Sequence, residues 1–317
     1  MPIKGEVNIM PIDYRGMNSD FVEYFNLEEY INKIRLLPRL LEHLETTNRD
    51  FDNYMKKLSI YDEEYIINYW IFLLYQELKS NQKIENTKFD MSTLAHRSVF
   101  FDTLNINNKR IHELHNFVIE KDITEGRLEP TFNYRNIPVN VSTFTEDGKE
   151  EIFWRGANPE DVHKFMNDFI KIYKQGGTSL LFSNPFLASS LMHLLFLRIH
   201  PYTDGNGRTA RVIHNIKFTE MINKLYGTRL KLSPLNLSGS ILVNKITYVK
   251  RIDNIYFDVK NDTNENINRW FDFILDMADE RIYVATEKLN RVDISKMKKI
   301  TEEEENIKGA MRLSRIK

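Results

Sequence analysis

The chain has 317 residues, 42% of them hydrophobic and 12% aromatic, enough to build one large domain or two smaller ones around a packed core. Lys plus Arg number 44 and Asp plus Glu 45, a balance that argues against a broad nucleic-acid or membrane-binding surface. Cysteine is absent, which excludes disulfides, a thiol nucleophile and any cysteine-based metal site, and fits a cytoplasmic protein.

The first stretch, "MPIKGEVNIMPIDYRG", has no apolar run of signal-peptide length and reads as an extended arm over about residues 1–20. From Leu27 to Leu78 the apolar spacing is helical, in "LEEYINKIRLLPRLLEHL" and "YDEEYIINYWIFLLYQEL", with Pro38 breaking or kinking the first. "NINNKRIHELHNFVIEKD" predicts another helix, with Ile111, Leu114 and Val118 on one face. The pattern then changes. "TFNYRNIPVNVSTF" and "EEIFWRG" predict two strands around an Asp147-Gly148 turn.

Helices resume at "NPEDVHKFMNDFIKIYK", with Asn158 as N-cap and Pro159 as the first helical residue. "SNPFLASSLMHLLFLRIH" repeats that start with Asn184 and Pro185. It is apolar nearly all round, which predicts a central buried helix, and it is too short and interrupted to span a bilayer. Further helices are expected over Gly207 to Leu225, in "SGSILVNKITYVKRI", and in the amphipathic "NENINRWFDFILDMADERIYVAT". A charged tail ends the chain. The fold class is mainly α with one β-hairpin.

Chemistry concentrates in "HPYTDGNGRTAR", which begins at His200. Each buried polar group without a partner costs about 1–3 kcal/mol, so this density of polar groups points to a bound polyanion. Gly205 and Gly207 let successive N–H groups turn toward one point at a helix N-terminus, an anion cradle. Arg208 and Arg211, three apart, share a helix face and suit two phosphates. Asp204 beside the cradle suits Mg²⁺, which takes few protein ligands. His200 is placed to accept a proton from an attacking hydroxyl. "GNGRTA" also fits a loose dinucleotide fingerprint, but that fingerprint must follow a strand, whereas here it follows a helical run. The chain has no P-loop signature.

The string resembles the Fic (Fido) family signature, H-P-F-x-[DE]-G-N-G-R-x-x-R, with Tyr202 in place of Phe. An aromatic is kept at that position, so little is expected to change. The resemblance extends over about residues 75–280. "NIPVNV" and "EEIFWRG" resemble the family's flap hairpin, which docks the target by strand addition, with Ile137 and Val139 on its target-binding edge. "LHNFVIEKDITEGRLEPTFNYR" resembles the lead-in to the flap. "LNLSGSILVNKITYVKRI" and "NRWFDFIL" resemble the helices that close the core.

The resemblance implies a protein adenylyltransferase, which moves AMP from ATP to a hydroxyl side chain of a target protein and releases pyrophosphate. His200 is then the base and Asp204 holds Mg²⁺. Asn206, with the backbone of Gly205 and Gly207, binds the α- and β-phosphates. Arg208 grips the β-phosphate, and Arg211 faces the γ-phosphate. Asn244 and Tyr248 match positions that line the nucleotide site, although Tyr248 equally fits ordinary helix packing.

The family's inhibitory pattern [ST]-x-x-x-E-[GN], whose Glu pairs with the second motif arginine, has two candidates. "NQKIEN" places Glu85 in that role with Asn81 where Ser or Thr is usual, and Asn caps comparably. "TEEEEN" places Glu305 there, but a solvated charge run is the better explanation of that tail. Glu85 is the preferred candidate, for its position ahead of the flap lead-in. The expected organisation is an N-terminal helical region (1–105), a catalytic domain (106–280) and a charged C-terminal tail or helix (281–317). The target protein is not named by the sequence, and self-modification and homo-oligomers stay open. Removal of AMP, or transfer of another phosphate-containing group, is the alternative activity.

Overall fold

The computed structural model describes residues 21–84, 106–144, 150–175, 179–230, 233–235, 237–253, 258–259 and 261–289. The N-terminal arm, Glu85, the Asp147-Gly148 turn and the charged tail with Glu305 lie outside them. The helical region from Leu27 is three helices: α1 (Leu27–Lys33), α2 (Pro38–Leu58) and α3 (Glu63–Ile84). Pro38 starts α2 rather than kinking a longer helix, at the position where its missing N–H would have had no partner anyway. Leu40, Leu44, Thr47, Phe51, Tyr54 and Leu58 form the buried stripe of α2.

Asn107 caps α4 (Asn108–Val118) by accepting from the Arg110 N–H, and Ile111, Leu114 and Val118 are buried together as their spacing predicts. The short α5 (Glu120–Thr124) follows. The hairpin consists of β1 (Asn140–Phe144) and β2 (Glu150–Arg155), antiparallel, with an irregularity between Val141 and Ser142. It begins later than the sequence suggested. Ile137 and Val139 precede β1 instead of belonging to it.

Pro159 opens a 3-10 turn, Pro159–Asp161, before α6 (Val162–Gln175). The Asn158 side chain makes no cap bond to the backbone, so the expected N-cap there is not formed. After the short α7 (Leu180–Ser183) comes α8 (Pro185–Ile199). Asn184 does cap this helix, accepting from the N–H groups of Phe186 and Leu187. Every residue of α8 is buried. Its two serines are satisfied locally: the Ser189 hydroxyl donates to the Pro185 carbonyl and that of Ser190 to Leu187. The helices α6, α9 (Asn206–Tyr226) and α12 (Glu265–Leu289) pack around it. The predicted helix around "SGSILVNKITYVKRI" is two, α10 (Ser238–Val243) and α11 (Lys245–Asp253), because the backbone turns at Asn244.

The N-terminal helices pack directly on this core. His43 of α2 reaches across to α12, with Nδ1 2.7 Å from Asp272 and Nε2 2.9 Å from Asp279. Burial pulls its pKa down, but the hydrogen bonds and charges of the two aspartates outweigh that and leave it raised above 6.5. A raised histidine contributes stability that is fully present below the unfolded value and is lost as pH rises through the folded one. Thermal stability of the native chain is therefore expected to fall from pH 6 to pH 8 relative to His43→Gln, by about 1–2 °C for a partly exposed ion pair. Parallel melting curves for the two proteins across that range would remove His43 from the pH response. Among the described residues no helix is long and apolar enough to cross a membrane.

Candidate active site

The site is built where α8 ends and α9 begins. His200 caps α8 in the left-handed region, φ 53, with its N–H on the Phe196 carbonyl. For a residue with a Cβ that backbone conformation is costly, so surrounding contacts must hold it. The His200 residue is 8% exposed. Its Nδ1 lies 3.1 Å from the Leu197 carbonyl, so Nδ1 carries the proton and the ring lone pair sits on Nε2. The ring of Trp154, from β2, packs edge-on with its centroid 6.4 Å away.

The connecting loop is braced from within. The Asn206 amide accepts from the Tyr202 N–H and donates to the Tyr202 carbonyl, at 2.9 and 2.8 Å. Tyr202 is buried, its ring stacked on His115 at 3.6 Å. Its hydroxyl, which the family's phenylalanine would lack, is 2.9 Å from His112 Nδ1. The substitution therefore adds a polar contact to the packing. Burial and the charge of Arg208 hold His115 down to about 3, so it stays neutral, and its Nδ1 meets the Thr209 hydroxyl.

Gly205 precedes α9 with φ 73 and provides no side-chain cap. A Cβ there would stand 2.5 Å from Ile119 and 3.0 Å from His115, so the tight turn needs glycine. The first N–H groups of α9 are thus left for a ligand, as an anion cradle requires. The Asp204 side chain is 63% exposed, and its Oδ1 accepts from the Gly205 N–H at 2.5 Å. No group of three or more His, Cys, Asp or Glu able to hold a metal occurs among the described residues. The donor set fits an ion that keeps most of its waters and takes one carboxylate, as Mg²⁺ does beside phosphates, and does not fit a tightly caged metal.

The two motif arginines are both buried on α9 but are held by different elements. Arg208 pairs through Nη1 with Asp122, and its Nη2 is 3.8 Å from Asp204. Its Nε has no hydrogen-bond partner among the described residues, an orphaned donor at the cradle. Asp122, on α5, is itself buried and also receives Arg127 at 2.5 Å. Arg211 donates from Nε to Asn81 Oδ1 of α3 at 2.5 Å. Around it, Glu77 accepts from Asn215 and from both the N–H and the hydroxyl of Ser238. Burial raises the Glu77 pKa against those hydrogen bonds and against Arg211. Lys245 donates to the Ile84 carbonyl at 2.5 Å, the last described residue of α3. One face of α3 is therefore fastened at 77, 81 and 84.

The structure places Tyr248 in the core, with its hydroxyl 2.8 Å from buried His193. Asn244 is half-buried and donates to the Ser240 carbonyl and to the Met277 sulfur. Ile137 is exposed, as a docking position should be, while the Val139 carbonyl accepts from Gly156. Sequence reasoning missed Asp122, Trp154 and Arg135, and gave Asn81 a capping role instead of its bond to Arg211. Asp122 and Arg135 stand in the segment that was quoted for its resemblance, and Asn81 in the proposed inhibitory stretch.

Residues 105–216 match the sequence model of the Fic/DOC family. A curated relative from Nematostella vectensis, named protein adenylyltransferase Fic, is 42% identical over 57 residues; that match covers 18% of this chain and 13% of the relative's length. The fold is similar to that of a Fic family protein from Desulfovibrio desulfuricans G20, with TM-score 0.55, 14% identity, and coverage of 82% of this chain and 78% of that one. A C. elegans protein named Fic-1 gives TM-score 0.52 at 15% identity, over 83% and 75% of the two chains. The motif, the helix-loop-helix that carries it and the hairpin beside it agree with these matches: residues 105–216 carry the sequence pattern of a Fic/DOC domain.

Proposed function

We propose that this protein transfers AMP from ATP to a hydroxyl of a target protein. The observation that carries the reading is His200, fixed at the end of the buried α8 with its lone pair on Nε2, facing a loop that leads into the uncapped N-terminus of α9. Nε2 takes the proton of the attacking hydroxyl. The oxygen then bonds to the α-phosphorus, and the bond to the bridging oxygen of pyrophosphate breaks. The first N–H groups of α9 carry the phosphate charge. Asn206 serves by bracing the loop, since its amide is committed to Tyr202, and its phosphate contact would come through the backbone. Asp204 would hold Mg²⁺, which supplies charge neutralisation for the phosphates.

The exposed segment at Ile137 and the edges of the two-stranded hairpin suit docking of an extended target strand. Intact-mass measurement after incubation with ATP and Mg²⁺ tests the reaction. A gain of one AMP supports transfer. A different phosphate-containing increment, or loss of AMP from a modified protein with no gain, overturns it in favour of the alternative chemistry.

The same reading includes autoinhibition. Arg211 is held by Asn81, four residues ahead of Glu85, and a cation engaged by α3 is not offered to the γ-phosphate. Glu85→Gly is expected to raise AMP transfer at least about tenfold, the factor that 1.4 kcal/mol represents. Glu305→Gly is expected to leave the rate unchanged. Activation by the second variant alone would move the inhibitory role to the tail.

A further inference from the structure

Arg135 stands in the segment that leads into the hairpin, and its guanidinium is buried. Nε donates to the His200 carbonyl at 2.6 Å, Nη1 to the Ile137 carbonyl at 2.7 Å, and Nη2 to the carbonyls of Ala157 and Ile199 at 2.6 and 3.3 Å. Its own N–H donates to the Pro201 carbonyl at 2.9 Å. Among the described residues no carboxylate pairs with it.

A buried arginine answered only by carbonyls is unusual, because such a charge normally takes an acidic partner. Here the partner is the C-terminal end of α8, whose last carbonyls are the negative pole of the helix. Burial lowers the Arg135 pKa to about 10, which leaves it charged at neutral pH.

The four carbonyls belong to three stretches of chain. Ile199 and His200 end the helix that presents the base. Ile137 enters the hairpin and Ala157 leaves it. The fit is close: a Cβ on Gly156 would stand 2.7 Å from Arg135 Nη2 and 3.0 Å from the His200 Cβ. A side chain at Gly156 would therefore press on the clamp where the hairpin stem crosses it. The left-handed His200 backbone is held from the same point.

We propose that Arg135 is a positioning residue that locks the His200 backbone to both stems of the hairpin, so that the base and the edge receiving the target form one rigid frame. The inference rests on the AMP-transfer reading. In-line attack needs the incoming hydroxyl within about 3–3.5 Å of its reacting atom, and a misplacement of about 1 Å can cost about 10²-fold. A target docked on the hairpin can meet that tolerance only if the hairpin keeps its place relative to His200. Lysine cannot replace the arginine, because its donors radiate from one atom and do not reach three separated carbonyls.

The test compares wild-type protein with Arg135→Lys, Arg135→Ala and Gly156→Ala. It reads ATP affinity, kcat and KM for ATP with self-modification followed by intact mass, and the NMR titration of the His200 ring. Arg135→Lys is expected to keep ATP affinity within about twofold while kcat falls about 10²-fold. The His200 titration should shift, and added methylguanidinium should restore part of the activity of Arg135→Ala. Gly156→Ala, which pushes against the clamp without removing its charge, should also shift the titration; if the Arg135 variants do not fold, this variant decides. Transfer within threefold of wild type in folded Arg135→Lys overturns the proposal. So does an unshifted His200 titration in Gly156→Ala, or a parallel loss of ATP affinity and kcat. Because the titration needs no turnover, a wild-type protein that transfers no AMP would defeat the activity reading while the positioning role is still judged on the His200 signal.

Discussion

Replacing His200 with alanine is expected to lower AMP transfer by about 10²–10⁴-fold, the usual cost of removing a general base. ATP affinity should hardly change. The argument is geometric. Nδ1 is engaged by the Leu197 carbonyl, so the ring presents Nε2 to the incoming hydroxyl in one tautomer. The cradle, by contrast, is made by α9 and by buried arginines that do not depend on the imidazole. The left-handed backbone at this position complicates a simple alanine test, because alanine tolerates φ 53 poorly. His200→Asn is the control, since asparagine enters that region more readily. Both variants should lose transfer and keep ATP binding. Near-normal transfer in His200→Asn would sink the base assignment, and loss of ATP binding in His200→Ala alone would assign that variant's defect to the backbone.

Asp122→Ala is expected to be the most destabilising single change near the site. Asp122 and Arg208 are both buried and joined by a charge-assisted contact. Removing the acid leaves a guanidinium in the interior with only the exposed Asp204, at 3.8 Å, as a carboxylate partner, and breaking a buried pair typically costs about 3–5 kcal/mol. For a chain of this length that corresponds to a fall in Tm of about 5 °C or more. The pair also fixes the Arg208 guanidinium, so transfer should fall further than the folded fraction does. A double variant, Asp122→Asn with Arg208→Gln, separates the two effects. It removes both charges together, so most of the stability should return while transfer does not. A double variant as unstable as Asp122→Ala would show that the contact matters for packing and not for charge.

Much of this arrangement is legible in the sequence because it is local. The motif runs continuously from His200 to Arg211, apolar spacing announces α4, and Asn184-Pro185 with the apolar run after it announces α8. The boundaries are less legible. Two-residue alternation continues backward from Val141 through Val139 and Ile137, and only Pro138, which cannot donate to a ladder, hints locally that pairing begins at Asn140. The turn at Asn244 leaves the apolar pattern on both sides intact, so two helices read as one. Asn158-Pro159 and Asn184-Pro185 look alike in sequence, yet only the second forms a side-chain cap. What could not be read is the set of buried polar partners. Asp122 meets Arg208 across 86 residues, Asn81 meets Arg211 across 130, and Arg135 meets His200 across 65. A single charged residue in a polar stretch carries no periodicity, and its partner is fixed only when the helices have packed.

The complete burial of α8 has a consequence for how the chain divides. Phe51 of α2 packs edge-on against Phe186, and Trp270 of α12 donates its indole N–H to the Ser190 carbonyl, so two flanks of α8 are covered by chain that lies outside residues 105–216. A fragment cut to the span that similarity recognises would open those flanks to water. Each large apolar side chain so uncovered loses about 1.5–3 kcal/mol of burial, and a few of them consume the 5–15 kcal/mol by which a typical protein stays folded. The portion that similarity marks is thus smaller than the portion that packs around α8. Shortening the chain from its N-terminal side would strip shelter from the core before it relieved any restraint on the arginines, and a gain or loss of activity in such a fragment would report on unfolding first.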